Sequence, residues 1–319
     1  MGAPALGESV CDAWTQWAPM TLPSKGEDDM NRRVVAAIDG SPASVAAADW
    51  AARQALCRNL PLSLVYVSPE RPSGEAIPVS TAAPRGGVSR LISEEAHRDM
   101  VHSELEILTV QLEGNPRKVL LREAAGAEML VLGSRPLRSS GGFVLGGLGL
   151  HLAAHADQPV IIVRQREEAE GGRVGEPVHA PIMLLGLDTE NRADDLIDFA
   201  FRAAQAAGAG LRIVGAAAPP VFPLHHFVPV SPEERVRLEE RERPALERAL
   251  EGWAEKFPEV QVDTAIVVGH ADEVLVDESR GADLVIVGRR RTVGPHHLGA
   301  VAHAVVHHAP CSVAVVPHN

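Results

Sequence analysis

Short unbroken apolar runs alternate along this chain with longer stretches whose apolar positions recur at helical spacing. The first run, "VVAAID" at 34–39, is followed by Gly40-Ser41-Pro42 and an alanine-rich stretch to Cys57. That order predicts strand, turn and helix, with Ser41 as the N-cap and Pro42 in the first turn. "LSLVYV" at 62–67 predicts a second strand, an amphipathic stretch lies near 88–101, and "EILTVQL" follows. Gly114-Asn115-Pro116 opens a predicted helix to Ala125, "EMLVLG" ends at Gly133, a helical segment reaches about His155, and "PVIIVR" closes the series. Runs that are apolar at every position suit strands buried on both faces, as in a parallel sheet covered by helices.

The series then starts again. "IMLLGLD" ends in Asp188 as the first run ends in Asp39, and a helical pattern spans 192–207. "LRIVGAAA", a charged helix over 233–256, "VQVDTAIVVG", "ADLVIVG" ending at Gly288, and "SVAVVPH" repeat the order. Pro244 is expected to break or kink the charged helix. The chain is therefore an internal duplication. Its fold class is α/β, two similar open parallel five-stranded sandwiches. Residues 1–30 are expected to be a mobile extension, 31–165 the first domain, "QREEAEGGRVGEP" with 166–177 the linker, and 178–319 the second domain.

Composition narrows the function classes. The 319 residues are 45% hydrophobic and 23% charged, enough apolar material for real cores. A formal charge of −12 repels polyanions, and aromatics at 3% offer little for stacking on bases, so nucleic acid is not an expected partner. No run approaches the length of a membrane helix. Three scattered cysteines without a C-x-x-C pair suit a reduced, cytoplasmic setting. In open parallel sheets, ligands bind beyond the carboxyl ends of the strands where strand order reverses. Asp39 with Gly133, and Asp188 with Gly288, stand at those ends.

The chain resembles a tandem universal stress protein of the UspA type over residues 32–318. The resemblance rests on "VVAAIDGSPAS", the strand end "LVLGSR" and the closing "AVAHAVVHHAPCSVAVVPH". It implies an adenine-nucleotide alpha-hydrolase-like fold and antiparallel pairing of the final strands, "VIIVR" with "VAVVP", and it makes a homodimer an expectation. It also implies ATP, with Mg²⁺ as a companion, held by G-x2-G-x9-G-[ST] after the fourth strand and by an Asp ending the first.

Laid on the first half, that motif gives Gly133, then Pro136 for the second glycine, Gly146 in register, and Gly147 for Ser or Thr. Proline removes both the φ freedom and the N–H of a glycine. Gly147 loses a hydroxyl but keeps its N–H at a helix N-terminus, which still favours an anion. Two lost hydrogen bonds, each worth about 0.5–3 kcal/mol, weaken such a cradle without forbidding it. The first site is therefore expected to comprise Asp39, Val67 (backbone toward adenine, by the resemblance), Gly133, Ser134, Arg135, Gly146 and Gly147.

In the second half, Arg291 replaces the second glycine, Ala300 replaces Ser or Thr, and Gly288 to Gly299 is two residues short of the motif. A second site would comprise Asp188, Gly288, Arg289 and Gly299. Two readings of Arg289, Arg290 and Arg291 stay open: charge replacing the lost donors, or a solvated basic loop.

Other signals are weaker. "GGFVLGGLG" follows the fourth strand, whereas a dinucleotide fingerprint belongs to the first strand-helix turn, and "SSGG" lacks the Lys-Ser/Thr of a P-loop. His151 with His155 and His303 with His307 lie at i, i+4, but nothing nearby completes a zinc site, so no metal is expected. No general base is identifiable, so ATP hydrolysis would be slow at most. The alternative to nucleotide binding is an interaction scaffold with both loops degenerate.

Overall fold

The computed structural model describes residues 32–68, 105–136, 143–164, 180–191, 193–219, 230–291 and 298–319. The amphipathic stretch at 88–101, residues 1–30 and residues 166–177 lie outside them. The first half comprises β1 (Val34–Ile38), α1 (Pro42–Arg58), β2 (Leu62–Ser68), β3 (Ile107–Glu113), α2 (Pro116–Ala124), β4 (Met129–Pro136), β5 (Phe143–Val144), α3 (Gly147–His155) and β6 (Val160–Arg164). The second comprises β7 (Ile182–Gly186), α4 (Asp194–Ala207), β8 (Gly210–Ala217), α5 (Pro232–Ala249), α6 (Trp253–Lys256), β9 (Val262–Val268), α7 (Ala271–Glu278), β10 (Leu284–Arg290), α8 (Ala300–His308) and β11 (Ser312–His318).

One sheet runs through both halves in the order β3-β2-β1-β4-β6-β11-β10-β7-β8-β9, with β5 paired to β4. Those ten strands form two parallel five-stranded blocks joined where β6 and β11 pair antiparallel, Val313 opposite Ile162 and Ala314 opposite Ile161. The final-strand pairing expected from the resemblance is thus present within one chain. β6 and β11 are buried along their whole length, including the polar Arg164, Ser312 and His318 at their ends, as the apolar runs between require.

Each face of the sheet carries one core, and each core crosses the junction. Ala47 and Ala51 of α1 share the first with Leu196 and Ala200 of α4. Leu120 of α2 and Leu152 of α3 share the second with Leu275 of α7 and Val305 of α8. Full burial of each leucine is worth about 1.5–3 kcal/mol.

Local signals explain the element ends. Ser41 caps α1 by accepting from the Ser44 N–H at 3.3 Å, with Pro42 as the first helical residue. Asn59 ends that helix in the left-handed region at φ 52°. Three features differ from the sequence reading. Pro244 lies inside α5 and the helix continues to Ala249; Pro244 and Glu240 are both exposed, so the carbonyl that loses its N–H partner is on the solvent side, where water can satisfy it. β4 continues past Gly133 to Pro136, because β5 returns to pair with Arg135 and Pro136. Finally, α7 stands at the place of α2, where the apolar pattern had suggested no element. Among the described residues no helix is long and apolar enough to cross a membrane.

Candidate functional site

Strand order reverses between β1 and β4 in the first half and between β7 and β10 in the second, so each half has one switch point. In the first half Asp39 follows β1. Its Oδ1 accepts from the Ser41 N–H at 2.9 Å, and its own N–H donates to Ser44 Oγ at 3.3 Å. The carboxylate thus shapes the turn into α1 while lying exposed at the strand end.

Across from it, β4 brings Gly133 against the first turn of α1. A Cβ there would stand 2.2 Å from the Ala43 carbonyl oxygen, so close packing alone demands glycine. Ser134 is buried, and its Oγ has no hydrogen-bond partner among the described residues. An orphaned hydroxyl at a strand end is a group that awaits a ligand or a water.

Gly146 is the N-cap of α3 and Gly147 its first residue. A Cβ on Gly147 would meet Arg117 Nη2 at 3.4 Å, so the guanidinium stands beside the helix N-terminus. Arg117 is carried by the first turn of α2, which Asn115 caps by accepting its backbone N–H at 3.0 Å. The motif spacing had not pointed to Arg117. Its signal was the helix that opens at Asn115-Pro116, which precedes the glycine loop by the whole of β4 in sequence and packs against α3 in space. Val67 is half-buried on β2, paired with Leu112.

The second switch point is a cleft of about 590 Å³. Asp188, Gly288 and Gly299 line it; Arg289 does not, and Arg290 does. Strand parity is the reason: Gly288 and Arg290 face one way and Arg289 the other. Arg290 pairs with Asp188, whose Oδ1 also accepts the Glu190 N–H at 3.0 Å. His318 lines the cleft from the end of β11 and lies over Gly288, where a Cβ would meet its Nε2 at 2.5 Å. Gly299 caps α8 at φ 82°, a conformation that favours glycine.

Arg289 and Arg291 serve a different purpose. The buried Arg289 donates to the Ala156 carbonyl, and Arg291 Nη2 donates to the Asp157 carbonyl at 2.9 Å, both just beyond α3 in the first half. Burial, then the neighbouring Arg291, pushes the Arg289 pKa down, with Asp157 opposing. Arg164 does the converse: its Nη2 donates to the Val306 and Val305 carbonyls at the end of α8, at 2.6 and 3.3 Å. Cations at helix C-termini are favoured by the dipole and by the unpaired carbonyls. Arg289 and Arg291 therefore join the halves, while Arg290 between them lines the cleft.

The model of the universal stress protein family matches residues 30–164 and again 181–317. The chain belongs to that family. A universal stress protein of Mycobacterium tuberculosis is 30% identical over 315 residues, covering 91% of this chain and 96% of that one. One of Mycolicibacterium smegmatis is 27% identical, covering 89% and 96%. A crystal structure of a universal stress protein from Archaeoglobus fulgidus superposes with a TM-score of 0.59 at 13% identity, covering 91% of this chain and 99% of that one. The two family matches give this universal stress protein a tandem architecture, and its alignment covers nearly the whole length of those relatives.

Proposed function

We propose that this universal stress protein binds an adenine nucleotide, ATP with Mg²⁺, at the first switch point and uses occupancy to change its shape or its partners. Asp39 and the Val67 backbone take the adenosine side, and Gly133, Ser134, Arg135, Gly146 and Gly147 the phosphate end. The observation that carries this reading is Arg117: a guanidinium beside the N-terminus of α3, with the orphaned Ser134 hydroxyl at the carboxyl end of β4 in the same half. A cation, helix N–H groups and an unused hydroxyl form an anion site. No residue is placed as a general base, so turnover is not part of the proposal. In this reading residues 31–165 and 178–319 are two domains joined by 166–177, the protein works in the cytoplasm, and chains pair as homodimers.

The test is to denature purified protein, identify released nucleotide by chromatography, and titrate the emptied protein with ATP and Mg²⁺. Arg117→Ala is expected to weaken ATP about 10-fold or more, the loss of a hydrogen bond to a charged group. Gly147→Ser is expected to tighten it, since the new side chain meets only the movable guanidinium. The scaffold reading keeps one observation, because Ala43 accounts for Gly133 without any phosphate. No released nucleotide, and no response to ATP from parent or Gly147→Ser protein, would establish the scaffold instead.

A further inference from the structure

The two switch points differ in charge, and the described residues of the second line a cleft. At about 590 Å³ it falls within the range of small-molecule sites, about 300–1,000 Å³. Its lining is mostly apolar, with the small side chains of Ala216, Ala218 and Ala271 beside the larger Val214, Leu275 and Leu298.

The charged groups at its mouth oppose a phosphate chain. Three carboxylates, Asp188, Glu190 and Glu242, stand against two guanidinium groups, Arg241 and Arg290. Both guanidinium groups are already committed, Arg290 to Asp188 and Arg241 to Glu242 at 2.9 Å. Arg289 and Arg291, the other cations of this strand end, hold carbonyls of the first half.

The neighbouring helices carry the same contrast. The first turn of α2 presents Arg117 and Lys118, whereas the matching positions of α7 are Asp272 and Glu273. The loop from Gly288 to Gly299 spans eleven positions, against thirteen from Gly133 to Gly146. The helix turn and the shortened loop thus lose cationic or backbone donors or gain negative charge, and the two guanidinium groups added at this strand end, Arg289 and Arg291, are held by first-half carbonyls. The apolar slot and its acid remain.

We infer that the second cleft is a nucleoside site, which takes an uncharged adenine nucleoside and rejects the same nucleoside carrying a phosphate chain. The inference rests on the reading that the switch points of this chain take adenine compounds. It divides the work between the halves: the first responds to ATP, the second to the dephosphorylated nucleoside. The polar rim of Asp188 and Thr189 offers acceptors to sugar hydroxyls, and an uncharged ligand leaves the Asp188–Arg290 and Arg241–Glu242 pairs intact. A polyphosphate would enter a field of its own sign.

The experiment is calorimetry on the full chain, emptied of nucleotide, with adenosine and with ATP·Mg²⁺ at low and high salt. Adenosine is expected to bind, with affinity nearly independent of salt, and to be lost in Ala271→Phe, which fills the cleft. Arg117→Ala is expected to leave adenosine binding unchanged while weakening ATP. In the Arg117→Ala protein, ATP is expected to compete for adenosine at least about ten-fold more weakly than unlabelled adenosine, and high salt to narrow that gap. The surface change Glu190→Lys is expected to narrow it further, and provides the same test should Ala271→Phe fail to fold. ATP displacing adenosine as well as adenosine itself, in protein that answers neither to salt nor to Glu190→Lys, overturns the inference. So does ATP binding without any adenosine binding, an outcome that leaves the first-half proposal standing. Adenosine binding with no ATP response sensitive to Arg117 supports the inference and removes the other proposal.

Discussion

Gly133 shows how a position can require glycine for a reason other than ligand binding. Its Cα lies under the Ala43 peptide, and a methyl group there would sit 2.2 Å from a backbone oxygen that cannot rotate away. Gly133→Ala is expected to cost about 1–3 kcal/mol or more, which for a chain of this size lowers Tm by several degrees. Gly146→Ala, where a Cβ meets open space, is the control, and thermal melts of the two compare them directly. His307 makes a different prediction at this scale. Burial, with His303, His308 and Arg164 nearby, holds its imidazole below the ordinary 6.5. Near and below that pH the folded protein binds fewer protons than the unfolded chain, so stability is full above about 6.5 and falls as pH drops through it. Denaturant midpoints measured between neutral and mildly acidic pH are expected to show that slope, and His307→Gln to flatten it.

Among the elements, helix ends and strand ends do most to place the charges. Arg164 ends β6 and reaches the last turn of α8, while Arg289 and Arg291 on and after β10 reach the residues that follow α3. Arg164→Ala removes charged hydrogen bonds to two buried carbonyls and is expected to cost about 1.5–3 kcal/mol. Arg290→Ala breaks an ion pair whose side chains are 42% and 49% exposed, and is expected to change stability by no more than about 1 kcal/mol. Equilibrium denaturation of both variants distinguishes a buried clamp from a surface pair. The alternation of strand neighbours gives Arg289 and Arg290 opposite faces, but which face meets the cleft was not readable from the strand "ADLVIVGRRR", and the sequence reading had placed Arg289 there instead of Arg290. Which carbonyls Arg289 and Arg291 would meet was not readable either, since Ala156 and Asp157 lie more than a hundred residues away.

For the whole molecule, the junction is a continuation of the sheet. β6 meets β11 in antiparallel register and both cores pass beneath that seam. Residues 31–165 expressed alone would present β6, an apolar strand otherwise buried along its length, as an open edge. That fragment is expected to self-associate, antiparallel β6 to β6, and sedimentation velocity should find it as a dimer or larger at concentrations where Ile161→Lys fragment remains monomeric.

The sequence by itself determined the duplication, the five apolar runs of each half, the capped turn at Ser41-Pro42 and the pairing of acid with glycine at the strand ends. These are local patterns, and period, caps and order of motifs carry them without knowledge of neighbours. Only the tertiary structure decided that Gly133 packs on Ala43, that Arg117 reaches the N-terminus of α3, and that Arg289 belongs to the junction while Arg290 belongs to the cleft. Each of those depends on which helix lies over which strand end. Contacts of that kind join residues distant in the chain, and their distances are set by the packing of the sheet's two faces rather than by any spacing along it.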